Sequence, residues 1–153
     1  MLSSELIINA TREIFETMVM KEVLPGDALS EPIKSFRNSI SGIVGLAGTY
    51  QGMLAIHASE GVALEITKDF LGLESEEIDD EVKDAIGELA NMIAGSVKPE
   101  LSPNGKDIQL SIPSVIYGDY TLNYFTNAEW SVIPFRTNSG DFFVELEIKN
   151  VED

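Results

Sequence analysis

Residues 80–101, DEVKDAIGELANMIAGSVKPEL, have the apolar periodicity of an amphipathic helix. A helix turns about 100° per residue, so apolar side chains three and four positions apart share one stripe. Asp79 or Asp80 is suited to cap the first turn, because a carboxylate there accepts free backbone N–H groups. The segment therefore predicts a long helix that buries one stripe, formed by Val82, Ile86, Leu89, Ile93 and Val97.

The opposite side of this helix carries an unusual row of residues. Asp84, Glu88, Asn91 and Gly95 lie on one side of the helix, with Gly87 close to them. Glycine inside a helix costs about 1 kcal/mol relative to alanine, and asparagine is also a poor helix former. A solvated helix face is the simpler interpretation. The alternative is a rigid edge that two glycines open to a partner backbone and that places a carboxylate and a carboxamide in the partner's cleft.

Two more helices are predicted on the N-terminal side of this segment. The first begins with a cap at Ser3 or Ser4 and runs to about Glu22. Residues 59–72 predict a short helix that Gly72 ends. The apolar face of the first helix is expected to contain Leu6, Ala10, Ile14, Met18 and Val19.

Strands fill most of the remaining sequence. Residues 38–58 predict a β-hairpin around the turn GTYQG, because two apolar runs flank a glycine-bounded segment. Later in the chain, apolar residues alternate at Ile108, Leu110 and Ile112. Two further strands are expected at 129–135 and 141–148, with TNSGD turning between them.

Strands joined as hairpins imply an antiparallel sheet, and amphipathic helices must bury one face against it. We therefore predict an α+β fold, an antiparallel sheet with two long helices packed on one face. The 153 residues are expected to form a single domain, residues 1–153.

Composition restricts the classes of function. The absence of cysteine excludes disulfides and thiolate metal sites. No signal peptide or apolar run of about 20 residues is evident, so we expect a cytoplasmic protein with no membrane partner. A net charge of −16 makes nucleic acid an improbable partner and favours one with a basic rim, although it also serves solubility.

Several familiar sites are not supported by the sequence. His57 is the only histidine, and a lone histidine without cysteine neighbours is usually structural. No serine lies in a nucleophile elbow. The acidic run 77–81 is better explained as a solvated helix start than as a metal site, because consecutive acids rarely point at one centre.

The outward row and the segments around it resemble a known family. Residues 84–98, DAIGELANMIAGSVK, are followed by Pro113 in QLSIPSVIYG, with 21 residues between Asn91 and Pro113. This pattern resembles the CheC/CheX/FliY phosphatases of bacterial chemotaxis, whose signature is an aspartate or serine, three residues, a glutamate, two residues, an asparagine and a later proline. Residues 45–72 and 132–148 are similar to the hairpin, helix and closing strands of that family.

Within the family, the chain resembles CheX. CheC proteins carry the motif on two helices, whereas the first helix here offers only Glu13 and Glu16, with glutamate where asparagine is needed. The resemblance therefore implies one active helix per chain. CheX-like proteins are typically homodimers, so a homodimer is also implied.

The resemblance implies a phosphatase that acts on the aspartyl phosphate of a CheY-like response regulator. Asn91 would orient the attacking water and Glu88 would pair with the receiver's lysine. Asp84, Gly87 and Gly95 would contact the partner, and Pro113 would support the site. No cofactor of its own and no metal ligand is implied, because the receiver supplies Mg²⁺. The alternative is a non-catalytic interaction module of the FliM type, which shares the fold and binds a receiver or a flagellar switch component.

Overall fold

The computed structural model describes residues 4–102 and 107–151. Its helices are α1 (Ser4–Ile14), α2 (Glu60–Leu71) and α3 (Asp80–Leu101), and a π-helical turn, Phe15–Val19, extends α1. Its strands are β1 (Leu24–Pro25), β2 (Ser35–Gly48), β3 (Tyr50–Ser59), β4 (Ile108–Leu110), β5 (Ser114–Thr121), β6 (Glu129–Thr137) and β7 (Gly140–Asn150).

The strands form one antiparallel sheet in the order β1-β6-β7-β3-β2-β4. Strand β5 also pairs with β2, along the edge that β4 uses. The helices pack on one face of this sheet, where α3 crosses β2 and β3 and α1 lies beside α3. This arrangement confirms the predicted α+β fold.

The core lies between the helices and this face of the sheet. The predicted apolar stripe of α3 is fully buried and packs against β2 and β3. Gly42 on β2 allows the close packing, since a Cβ atom there would lie 2.8 Å from the carbonyl oxygen of Ile86. Helix α3 is thereby seated directly on the sheet.

The predicted end of α2 at Gly72 and the predicted N-cap of α3 are both present, and α2 also has an N-cap. The Ser59 hydroxyl accepts a hydrogen bond from the Val62 N–H, and Gly72 ends α2 with a φ of 73°. Asp79, rather than Asp80, caps α3, and its carboxylate accepts from the Val82 N–H at 3.0 Å. That bond is the main reason the pKa of Asp79 is lowered.

The prediction that the first helix continues to Glu22 is wrong. The α-helix ends at Ile14, the π-helical turn follows, and Met20 adopts a left-handed φ of 61°. The wider turn changes the register, so Met18 is 46% exposed instead of buried. The buried positions are Ile7, Ala10, Thr11, Phe15 and Val19. Ser3, the other predicted cap, lies outside the described residues.

The strand predictions need two corrections, whereas the predicted hairpin between β2 and β3 is present. Its ladder ends at the pair Leu46 and Gly52, so five residues, 47–51, turn between the paired strands, one position earlier than GTYQG. The strand expected to include Ile112 ends at Leu110, and Ile112 is 84% exposed because Pro113 interrupts the ladder. Strand β5 was not expected, because its side chains are only half-buried at alternate positions and form no strong apolar run.

Candidate active site on helix α3

Helix α3 presents the predicted polar row away from the core. Asp84, Glu88 and Gly95 are exposed and Asn91 is half-buried. Within the described part of the chain, the side chains of Glu88 and Asn91 have no hydrogen-bond or ion-pair partner. A carboxylate and a carboxamide one turn apart are thus available to an approaching molecule.

The two glycines near this row differ in their surroundings. Gly95 is open, and no heavy atom lies within 4 Å of the place where its Cβ would be. Gly87 is buried, and a Cβ there would lie 3.2 Å from Cγ2 of Val115 and 3.6 Å from Cβ of Pro113. The expectation that Gly87 faces a partner is therefore wrong, because the close approach at Gly87 occurs within the chain.

Pro113 lies beside the polar row. It stands in the three-residue connection between β4 and β5, and its ring packs against α3 at Gly87, one residue before Glu88. In the sequence 21 residues separate Asn91 from Pro113, yet the fold places Pro113 against α3 at the edge of the sheet. This position favours the prediction that Pro113 supports the site, which stays a prediction.

Helix α1 flanks the site on the side of Gly95. The Ser96 hydroxyl of α3 donates to the Glu13 carboxylate at 3.3 Å. Glu16 lies in the π-helical turn, so Glu13 and Glu16 do not share regular α-helical geometry. One active helix per chain stays the interpretation of these residues.

A second polar cluster lies on the opposite face of the sheet. His57 Nδ1 is 2.5 Å from the Ser41 hydroxyl, and His57 Nε2 is 2.9 Å from a Glu145 carboxylate oxygen. The Ser41 hydroxyl is also 2.6 Å from the Tyr120 hydroxyl. The side chains of Ser41, His57 and Glu145 are at most 1% exposed, so a substrate cannot reach this cluster. This cluster could not be predicted from the sequence, because Glu145 alternates with apolar residues as in a strand with one solvated face.

No group of three or more His, Cys, Asp or Glu side chains is placed to hold a metal ion in residues 4–102 and 107–151. No helix in these ranges is both long and apolar enough to cross a bilayer.

The sequence of this chain and its fold are both similar to those of known proteins. A sequence profile described as chemotaxis phosphatase CheX matches residues 40–136. The chain belongs to the CheX family. The matched range runs from β2 into β6 and contains the polar row of α3 and Pro113.

A curated relative shares part of its sequence with this CheX-family chain. It is the CheY-P phosphatase CheX of Thermotoga maritima, 32% identical over 82 residues. The alignment covers 53% of this chain and 53% of the relative, so it spans about half the length of each.

Solved structures of CheX proteins match nearly the whole chain. The chemotaxis protein CheX from Desulfovibrio desulfuricans superposes with a TM-score of 0.82 at 30% identity, covering 95% of this chain and 98% of that one. The CheX–CheY–BeF3–Mg²⁺ complex from Borrelia burgdorferi gives a TM-score of 0.80 at 25% identity, covering 95% and 97%.

Proposed function

We propose that this CheX-family protein is a phosphatase that removes the phosphoryl group from the aspartyl phosphate of a CheY-like response regulator. The observation that carries the proposal is a pair of side chains, Glu88 and Asn91, on the outward face of α3 beside Pro113, for which the described residues offer no hydrogen-bond or ion-pair partner. The Thermotoga relative, a CheY-P phosphatase, and the Borrelia structure, a CheX–CheY complex, support this substrate class.

The chemistry asks little of the phosphatase itself. An aspartyl phosphate is a mixed anhydride that already hydrolyses slowly in water. The receiver supplies the phospho-aspartate, a bound Mg²⁺ and a lysine that neutralises the phosphoryl oxygens. What remains is to hold a water molecule in line with the phosphorus–oxygen bond, and positioning of this kind can account for a large rate increase. In this proposal the phosphatase needs no cofactor of its own.

Asn91 is suited to hold that water. Its amide oxygen accepts a hydrogen bond from the water, while the group stays uncharged beside the phosphoryl oxygens. A carboxylate at the same place would be repelled by them. The Asn91 side chain is half-buried, so it has less conformational freedom than a fully exposed side chain would have.

Glu88 is suited to dock the receiver. Its carboxylate is exposed, one turn from Asn91, and free to pair with the receiver's lysine by a charge-assisted hydrogen bond. That pair would set the register of the helix against the phosphorylation site. Asp84 and Gly95 lie along the same row and would contact the rim of the partner.

The first test compares Asn91→Ala and Glu88→Gln with the wild type. A CheY-like receiver from the same organism is phosphorylated with acetyl phosphate, and phosphate release is followed with Mg²⁺ present. Losing Asn91 should reduce kcat on the order of a hundredfold, because a transition-state contact disappears. Losing the charge of Glu88 should raise KM by about tenfold, because a docking contact disappears.

Matched variants separate these effects from general damage. Asn123→Ala removes an exposed asparagine between β5 and β6, and Glu100→Gln removes an exposed acid near the end of α3. Both should keep wild-type kcat and KM. Full activity in Asn91→Ala would contradict the proposed mechanism. If the wild type did not speed phosphate release from any of several receivers, the non-catalytic interaction module would be favoured.

A further inference from the structure

A cavity of about 520 Å³ lies where the segment after α1, helix α2 and the turn between β6 and β7 meet. Its lining comes from residues 15–24, 65–69 and 136–138. Sites for small molecules have volumes of roughly 300–1,000 Å³, so this cavity is large enough for a ligand. None of the described residues that line it belongs to α3, and the cavity is therefore separate from the candidate active site.

Part of the lining is apolar. Phe15, Val19, Val23 and Ile66 line the cavity and are each at most 3% exposed, so the core supports this wall from behind. Leu24 also lines the cavity and is 59% exposed. Its side chain offers an apolar surface that a ligand can remove from water.

Glu65 is the unusual residue of this lining. It lies in α2 and is half-buried, and its Oε1 atom is shielded from solvent. In residues 4–102 and 107–151, this oxygen accepts no hydrogen bond and Glu65 forms no ion pair. A carboxylate oxygen that is buried without a donor costs free energy. The terminal torsion of glutamate is broad, so a small rotation turns this oxygen towards a donor in the cavity.

The two basic residues of the lining are held by other acids. Lys21 Nζ lies 3.7 Å from the Asp69 carboxylate, and Arg136 Nε lies 3.7 Å from the Asp141 carboxylate. Neither cation pairs with Glu65. The described residues of the lining include three acids and two bases, so the cavity favours a cation over an anion.

We propose that this cavity binds a small organic cation, an amine or guanidinium that carries an apolar body. The cationic group donates a charge-assisted hydrogen bond to the Glu65 carboxylate. The apolar body lies against Leu24 and the buried side chains behind it. This site does not depend on the proposed phosphatase function, because α3 contributes none of its described residues.

The test compares phenethylamine with 2-phenylethanol, a neutral molecule of nearly the same shape. Each is titrated into the ¹⁵N-labelled protein, and the shifts of the backbone amide signals are followed by NMR. Phenethylamine should shift amides of residues 15–24, 65–69 and 136–138, with a dissociation constant on the order of 1 mM. The alcohol should bind at the same place about tenfold more weakly, because it lacks the charge.

Three variants isolate the contribution of Glu65. Glu65→Gln should weaken phenethylamine binding about tenfold and leave the alcohol unaffected, which also shows that the cavity is intact. Glu65→Asp keeps the carboxylate and should bind phenethylamine better than Glu65→Gln. The matched control is Glu76→Gln, because Glu76 is an exposed acid outside the lining. Glu76→Gln should match the wild type with both molecules.

Three results would overturn the proposal. The first is the absence of saturable shifts when phenethylamine is added to the wild type. The second is a set of shifts spread over the acidic surface, or an equal loss of affinity in Glu76→Gln, since net charge alone would then attract the cation. The third is an unchanged affinity for phenethylamine in Glu65→Gln.

Discussion

Single residues decide which of the two polar clusters can meet a partner. Glu88 and Asn91 project from α3 without a partner in the described residues, whereas Ser41, His57 and Glu145 bond to one another out of reach of solvent. A buried network of this kind rigidifies a sheet when every member is satisfied. Here one oxygen of Glu145 accepts no hydrogen bond within residues 4–102 and 107–151, so its burial costs free energy that the network does not offset.

Glu147 adds a second acid to this buried face. Its side chain is 1% exposed, and it accepts a hydrogen bond from the Phe125 N–H. Burial raises its pKa above the ordinary value and the charge of Glu145 adds to this, while the Phe125 bond opposes both. The folded protein therefore holds a proton on Glu147 more tightly than the unfolded chain does.

This pKa shift predicts how stability depends on pH. The stabilisation from protonated Glu147 is complete below the ordinary value of 4.5 and is lost as the pH rises through the raised pKa. Glu147→Gln keeps an oxygen for Phe125 and carries no charge, so it should be more stable than the wild type at pH 7 by about 1 kcal/mol. Urea unfolding of both proteins between pH 4 and 8 measures this. If the free energies of unfolding of the two proteins differed by the same amount at every pH in this range, the raised pKa of Glu147 would be contradicted.

At the scale of the helix, the glycines of α3 perform two different tasks. The sequence correctly predicted the buried stripe and the outward acids, because both follow from helical periodicity alone. The prediction that Gly87 faces a partner was wrong, because Pro113 and Val115 cover this glycine. The position of these two residues depends on the irregular connection between β4 and β5. A contact made by a distant strand is not encoded in the local pattern.

Gly95 is the glycine for which a partner contact stays predicted. Gly95→Ala should stabilise the fold by about 1 kcal/mol, since nothing within 4 Å opposes a methyl group there. If the receiver backbone approaches this turn, the same change should raise KM several-fold, which a titration of the phosphorylated receiver would measure.

Gly61 provides the control for this substitution. It lies in α2, is exposed and is equally free of neighbours within 4 Å. Gly61→Ala should therefore stabilise the fold without any change in KM. A Gly95→Ala protein with wild-type KM would remove Gly95 from the docking surface.

On the scale of the whole molecule, the sequence predicts the fold class but not every element of it. The fold class could be predicted because hairpins and amphipathic helices leave distinct periodicities. The π-helical turn after α1 and the strand β5 could not, since both depend on how the segments pack rather than on local preference. The homodimer that the family resemblance implies stays a prediction.

The net charge of −16 predicts how association with a basic receiver surface depends on salt. Raising the ionic strength shortens the range of the field, so the association rate constant should fall by about tenfold from low to physiological salt. Stopped-flow fluorescence with the beryllofluoride-loaded receiver measures this rate, and kcat at saturation should not change. An association rate that is independent of salt would show that the acids serve solubility only.

In the proposed mechanism, Asn91 positions the water that attacks the phosphoryl group. Single-turnover loss of phosphate, measured with the receiver saturated by this protein, isolates that step from docking. We expect rapid loss with the wild type and nearly the receiver's own slow rate with both Asn91→Ala and the isosteric Asn91→Asp, because the carboxylate would be repelled by the phosphoryl oxygens. Rapid loss with either variant at saturation would contradict the assignment of Asn91 and the chemistry proposed for this helix.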